Sequence, residues 1–210
     1  MEKEIMSAKG IKVTSETSYH FGGQVIKFKG ASQLGGENKA RMSFEGIDII
    51  GRPEHIQLVS DGKQMQIQTK LDQIPDSEPT PANVGKDLRG ALIRGGLAMM
   101  CKLVDSENLA NFDFEKERPI SKFKMGAKEK VGKVDAQVIE YKLMFLETSS
   151  ASVELWIDIK THLPLKRQIV DAKGIKIIET YSEFVITPNL DPSIFELPKA
   201  SEKKKTNKKN

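Results

Sequence analysis

Between Ile11 and Phe21 the odd positions carry Ile11, Val13, Thr17, Tyr19 and Phe21, and the even positions Lys12, Thr14, Glu16 and Ser18. A period of two with one greasy side predicts a half-buried strand. Gly22-Gly23 then reads as a hairpin turn, because glycine reaches positive φ freely. Ile26 and Phe28 alternate with Lys27 and Lys29 in the next strand, and Met42 and Phe44 alternate with Arg41, Ser43 and Glu45 after the turn at "LGGEN". The clearest hairpin follows. Ile56 and Leu58 lead into Asp61-Gly62, a preferred turn pair, and Met65 and Ile67 lead out. Three prolines, Pro75, Pro79 and Pro81, then interrupt the strand pattern.

The period changes after Asn83. Val84, Leu88, Leu92, Met99 and Leu103 fall near helical spacing, which predicts an amphipathic helix with its apolar face inward. Gly90, Gly95 and Gly96 each cost about 1 kcal/mol there relative to alanine, so they mark a break, close packing or mobility. A loop or short helix is expected over 105–119. Strands resume at Ile120. One long strand places Ile139, Tyr141, Leu143 and Phe145 on a single face. Val153, Leu155, Ile157 and Ile159 form the next inward row. After a corner containing Pro164, Leu163, Leu165 and Ile169 return, and residues 175–186 close the sheet. Short turns joining successive strands on both sides of a helical insert are the grammar of an antiparallel meander.

Composition modifies this picture only slightly. Hydrophobic residues make up 38% and charged residues 30% of the 210, which suits a sheet with a thin core and a wide wetted face. The formal net charge is +4, but Lys199–Asn210 holds six lysines against one glutamate. The body is therefore near neutral, and a basic nucleic-acid-binding face is excluded. The expected organisation is one domain over 1–198 and a disordered Lys-rich tail over 199–210. That tail could also meet an anionic membrane surface, each lysine contributing on the order of 1 kcal/mol. The single cysteine, Cys101, rules out an internal disulfide and reads as a buried small hydrophobe. No signal peptide is visible in the first ten residues, and no apolar run approaches the roughly 20 residues of a membrane helix.

The search for chemistry yields little. No nucleophile elbow, phosphate loop, dinucleotide fingerprint or zinc helix motif occurs. His20, His55 and His162 stand apart, without a second ligand at metal spacing. Asp61 and Asp158 sit at turns, where carboxylates serve backbone N–H groups. The expectation is therefore a protein that is not an enzyme, with no catalytic residue, no metal and no cofactor. Methionines recur in the strands (Met42, Met65, Met144) and in the helix (Met99, Met100), and methionine suits surfaces that accept varied apolar ligands.

Four stretches carry a family resemblance. "LWIDIKTHLPLKRQIVDAKG" followed by "ETYSEFVITPNLDPSIFELP" resembles the C-terminal half of the LolA/LolB-like superfamily of bacterial envelope lipoprotein- and lipid-binding proteins. "NKARMSF" followed by "VSDGKQMQI" is similar to that family's Arg-bearing strand and its S-D-G-K hairpin. The resemblance runs from Ile11 to Pro198. It implies a mainly β, α+β fold: a curved antiparallel half-barrel of about eleven strands with helices covering the concave face. Two departures are plain. Only about eight residues precede the first strand where the carriers have a long helix, and the Lys-rich tail is not a family feature.

The resemblance further implies a hydrophobic cavity for acyl chains, of a lipoprotein or a free lipid, in a monomeric protein of the periplasm or outer envelope. The expected lining is Ile26, Phe28, Met42, Phe44, Ile56, Leu58, Met65, Ile67, Leu88, Leu92, Met99, Tyr141, Leu143, Phe145, Leu155 and Ile157. Arg41 matches the family's strand arginine and is expected to hydrogen-bond the covering helix and hold the cavity closed. The implied partners are lipid acyl chains or a lipidated protein. An envelope sensor or regulator that uses the same fold against a protein partner is the alternative.

Overall fold

The structure is a computed structural model, and it describes residues 1–47, 50–69, 75–102, 119–146 and 149–198. Leu103, the segment from 103 to 118 and the Lys-rich tail lie outside the described residues. The chain opens with a short helix, α1 (Glu2–Ser7), and five strands: β1 (Ile11–Phe21), β2 (Gln24–Leu34), β3 (Lys39–Ile47), β4 (Pro53–Asp61) and β5 (Gln64–Gln68). A two-residue strand β6 (Glu78–Pro79) precedes helix α2 (Val84–Lys102). Strands β7 (Ile120–Val131), β8 (Val134–Leu146), β9 (Ser149–Asp158), β10 (Pro164–Val170) and β11 (Lys176–Ile186) follow, and a 3-10 turn (Pro192–Phe195) ends the fold.

All eleven strands belong to one open antiparallel sheet in the order β6-β5-β4-β3-β2-β1-β11-β10-β9-β8-β7. Each half is a meander, and the halves are joined where β1 pairs with β11. The expected turns form. Gly22 and Gly23 adopt φ of 53° and 79° at the first hairpin. Asp61 Oδ1 accepts from the N–H groups of Lys63 and Gln64 at 2.7 and 2.8 Å, which holds that carboxyl below the usual range. Asp158 caps Lys160 N–H at 2.7 Å in the same manner.

The sheet curves around α2. Every residue of α2 from Asp87 to Met100 is buried, so this stretch of the helix has no wetted face. That differs from the expected amphipathic helix, and the physical reason is enclosure by the concave side. The core gathers Val84, Leu88, Leu92, Leu97 and Met100 of the helix with Ile11, Leu34, Met42, Leu58, Met65, Leu143, Val153 and Ile169 of the sheet. α1 adds Ile5, which is fully buried. On the convex side a small cluster of Ala136, Val138 and Trp156 is packed by Val131 and Leu165. Leu165 was expected in the inward row with Ile169. A register shift between Pro164 and Lys166 puts it on the outer side instead.

α2 is broken at Gly96, whose φ of 74° and ψ of −168° are incompatible with a helix. The three alternatives for the glycines resolve here as a break. Gly30 of β2 lets the second half come close: a Cβ there would lie 3.2 Å from Leu97 Cδ1. A Cβ on Gly96 would lie 1.7 Å from Glu179 Oε2 and 2.7 Å from an Arg167 guanidinium nitrogen.

Gly96→Ala is expected to cost about 3 kcal/mol or more through positive φ and collision together. Gly22→Ala, at positive φ in open space, should cost only about 1–2 kcal/mol. Denaturant unfolding of both variants, with unchanged slopes, checks the contrast.

Candidate functional site

The concave wall is not uniformly apolar. Along β1 the inward row runs Ile11, Val13, Ser15, Thr17, and all four are buried. Arg167 of β10 and Glu179 of β11 also face inward, directly opposite one another in the ladder. They are 1% and 2% exposed. Two charges so deep are tolerable only when hydrogen-bonded as well as paired.

Their hydrogen bonds go to the break in α2. Arg167 donates through Nη1 to the Leu92 carbonyl at 3.0 Å and through Nη2 to the Ile93 carbonyl at 2.7 Å. Glu179 Oε1 accepts from the Leu97 N–H at 2.9 Å. Helix ends leave carbonyls at one terminus and N–H groups at the other without internal partners. The break creates both kinds in mid-helix, and the pair satisfies them with the charge signs that the helix dipole favours. Ser15 Oγ donates to Glu179 Oε1 at 2.8 Å, and Tyr181 Oη donates to Oε2 at 2.9 Å. Tyr141 Oη reaches the Arg94 carbonyl at 3.2 Å. Burial raises the Glu179 carboxyl above its ordinary range, while Arg167 and the three hydrogen-bond donors oppose that shift.

The first half of α2 is tied at its other end. Asn38 accepts from Gly85 N–H at 3.1 Å and donates to the Ala82 carbonyl at 2.8 Å. Arg89, whose guanidinium is pushed below its ordinary pKa by burial, donates to the carbonyls of Ala8 at 3.1 Å and Gly35 at 2.9 Å.

Among the expected lining residues, Met42, Leu58, Met65, Leu88, Leu92, Met99, Tyr141, Leu143, Leu155 and Ile157 meet in one core cluster around α2, with Ile56 and Ile67 packed at its margin. Phe28 and Phe44 are buried and stacked on each other at a centroid distance of 4.9 Å. Ile26 is half-buried on the same strand. The side chain of Phe145 lies outside the described residues. An open groove of about 560 Å³ borders β1, β2, β3 and β11; Phe28 is the member of the expected set that reaches it, beside Lys27, Lys29, Glu45 and Ile47.

Arg41 makes a different contact from the one expected. It alternates with inward Met42, and it donates to the Ile194 carbonyl of the 3-10 turn at 3.0 Å. The arginine that grips the covering helix is Arg167. Sequence reasoning missed it, together with Glu179, Ser15, Thr17 and Tyr181. The signal was present, since Arg167 shares the inward register of Ile169, and Glu179 that of Ile177 and Tyr181. Cys101 is half-buried at the end of α2, where burial pushes its thiol pKa up. No group of three or more potential metal ligands occurs among the described residues. No described helix is long and apolar enough to cross a membrane.

No family model and no curated protein matches the chain. Similar solved structures include a chain of the Pseudomonas aeruginosa MucA/MucB complex, at 14% identity and TM-score 0.44 over 91% of this chain and 56% of that one. This chain thus spans little more than half of that protein. A LolA superfamily protein from Nitrosomonas europaea is similar at 12% identity and TM-score 0.35, over 93% and 97% of the two chains. LprF from Mycobacterium bovis is similar at 8% identity and TM-score 0.44, over 89% and 92%.

Arg167→Met alone is expected to cost about 3–5 kcal/mol, because it leaves the buried Glu179 without its counter-charge, held only by hydrogen bonds from Ser15, Tyr181 and the Leu97 N–H. The double variant Arg167→Met/Glu179→Met should recover most of that loss, and a double-mutant cycle by chemical denaturation measures the coupling. The raised Glu179 carboxyl adds a pH signature. A folded-state pKa above the unfolded value contributes stability at low pH that is lost as pH rises through the folded pKa. From about pH 4.5 upward, wild type should lose stability relative to the double variant.

Proposed function

We propose that the protein is a non-enzymatic carrier or binding protein that seats lipid acyl chains on the concave face of its sheet, in the bacterial cell envelope. One observation carries the reading. The space a chain would occupy is filled by a helix that is broken in its middle and fastened to the sheet largely through its own backbone carbonyls and an N–H. Such hydrogen bonds, like the apolar contacts of Leu88, Leu92, Leu97 and Met100 around them, are non-covalent and can be exchanged for those of an acyl chain. Withdrawal of α2 would uncover the apolar rows on which Met42, Leu58, Met65, Leu143 and Leu155 stand. Methionines on both sheet and helix adapt to either occupant. Each buried methylene of an acyl chain gains about 0.8 kcal/mol, against which stand the cost of displacing the helix and of ordering the chain. The sequence resemblance supports the same reading and an envelope location.

A second reading, a sensor or regulator that binds a protein partner, is favoured by β7. Among the described residues this strand borders the sheet and is paired on one side only, and it exposes Phe123 and Met125 at 67% and 65%.

Organic extraction of the purified protein followed by mass spectrometry, beside native mass spectrometry of the intact chain, distinguishes the two. A stoichiometric fatty acid or phospholipid is the expected result. A clean apo protein that also fails to take up a fluorescent fatty acid would overturn the carrier reading and leave the sheet as a platform for a partner.

A further inference from the structure

The polar groups under the broken helix have a consequence for which lipid can replace it, and this step rests on the carrier reading above. When α2 lies in place, the wall offers it three donor contacts and one acceptor contact: Arg167 Nη1 and Nη2, Tyr141 Oη and Glu179 Oε1. The three helix atoms that accept are neutral amide carbonyls, of Leu92, Ile93 and Arg94. A ligand that displaces the helix strips these donors of their acceptors inside an apolar wall. A bare hydrocarbon chain cannot make good that loss, and a buried donor left unmade costs enough to reduce affinity about tenfold.

The wall also holds polar atoms that the helix does not satisfy. Arg167 Nε is buried without a partner. Thr17, 1% exposed and opposite Glu179 in the β1–β11 ladder, has an Oγ1 with no partner. Both belong to the same inward patch, so donors remain there even in the helix-filled state.

We propose that Arg167 is a binding residue for the carbonyl oxygens of a diacyl lipid, with Tyr141 beside it, and that the ester groups of the ligand take the places of the Leu92 and Ile93 carbonyls. The exchange is like for like: two neutral carbonyls on neighbouring residues give way to the two ester carbonyls of one glycerol. Glu179 already faces Arg167 across the ladder. The guanidinium therefore needs neutral acceptors rather than a second acid, which sets esterified lipids ahead of free fatty acids.

The test compares a dipalmitoyl phosphatidylglycerol with its dialkyl ether analogue, which keeps the chains and the head group but lacks both carbonyls. Occupancy of the full-length protein is read by native mass spectrometry at equal lipid concentration, with palmitate as a third probe. Wild type is expected to hold the ester lipid about tenfold or more tightly than the ether, and more tightly than palmitate. The Arg167→Met/Glu179→Met variant, which removes both charges together, should bind ester and ether alike. Equal binding of ester and ether by wild type overturns the proposal while leaving the acyl cavity intact. Binding of none of the three probes overturns the carrier reading itself. An ester preference that survives in the double variant places the carbonyl site elsewhere and also overturns the assignment. Equal binding of ester and ether by wild type overturns the proposal even where the variant fails to fold.

Discussion

A helix that breaks inside a protein core exposes backbone groups that no solvent can satisfy. Here the carbonyls of Leu92 and Ile93 and the N–H of Leu97 would be orphaned by the turn at Gly96, and one Arg–Glu pair on two adjacent strands takes up all three. The dependence is mutual. Without the helix atoms the pair loses three hydrogen bonds, and without the pair the bend leaves three backbone groups unpaired. Glycine at position 96 is the steric condition for both, because any Cβ would stand where the Glu179 carboxylate lies.

The sheet was legible because its residues obey a period of two and most of its turns carry glycine, asparagine or aspartate where positive φ or backbone capping is needed, Glu37 and His162 being exceptions. Ile56 to Ile67 with Asp61-Gly62 at the tip is a case in which pattern and turn chemistry agree, and the ladder forms accordingly. The helix was legible from spacing, though its complete burial was not: an apolar stripe says which face points inward, and nothing about whether the rest is enclosed. Leu165 failed as an inward residue because one irregularity at Pro164 reverses the faces, and a bulge leaves no trace in alternation until its position is known.

The site divides similarly. Ten of the expected lining residues, readable from period, meet in the core cluster around α2, whereas Phe28 and Phe44 stack on each other and Phe28 reaches an open groove. The polar centre was passed over because charged residues in a strand are ordinarily solvent-facing, although Arg167 stands two residues before the inward Ile169. Register corrects this: Lys166 lies over the Trp156 ring on the outer side at 4.2 Å, and the next residue must point the other way. Arg41 illustrates the opposite error. A family position carried over by motif gave it a helix contact, while its own alternation with Met42 directs it to the 3-10 turn.

The strand order has a kinetic side. Nearly every ladder in the sheet joins strands adjacent in the chain, whereas the β1–β11 seam pairs residues such as Ile11 and Ile186. Local hairpins close within microseconds, but a loop this long must give up its entropy before the contact rewards it. Two meanders formed separately, then zipped along one seam, is the route that topology favours. Ser15 and Glu179 lie on opposite sides of that seam and hydrogen-bond across it. The last ladder to form during folding is thus also the one that completes the receptor for the broken helix, so a nascent chain acquires its plug only once both halves have been made.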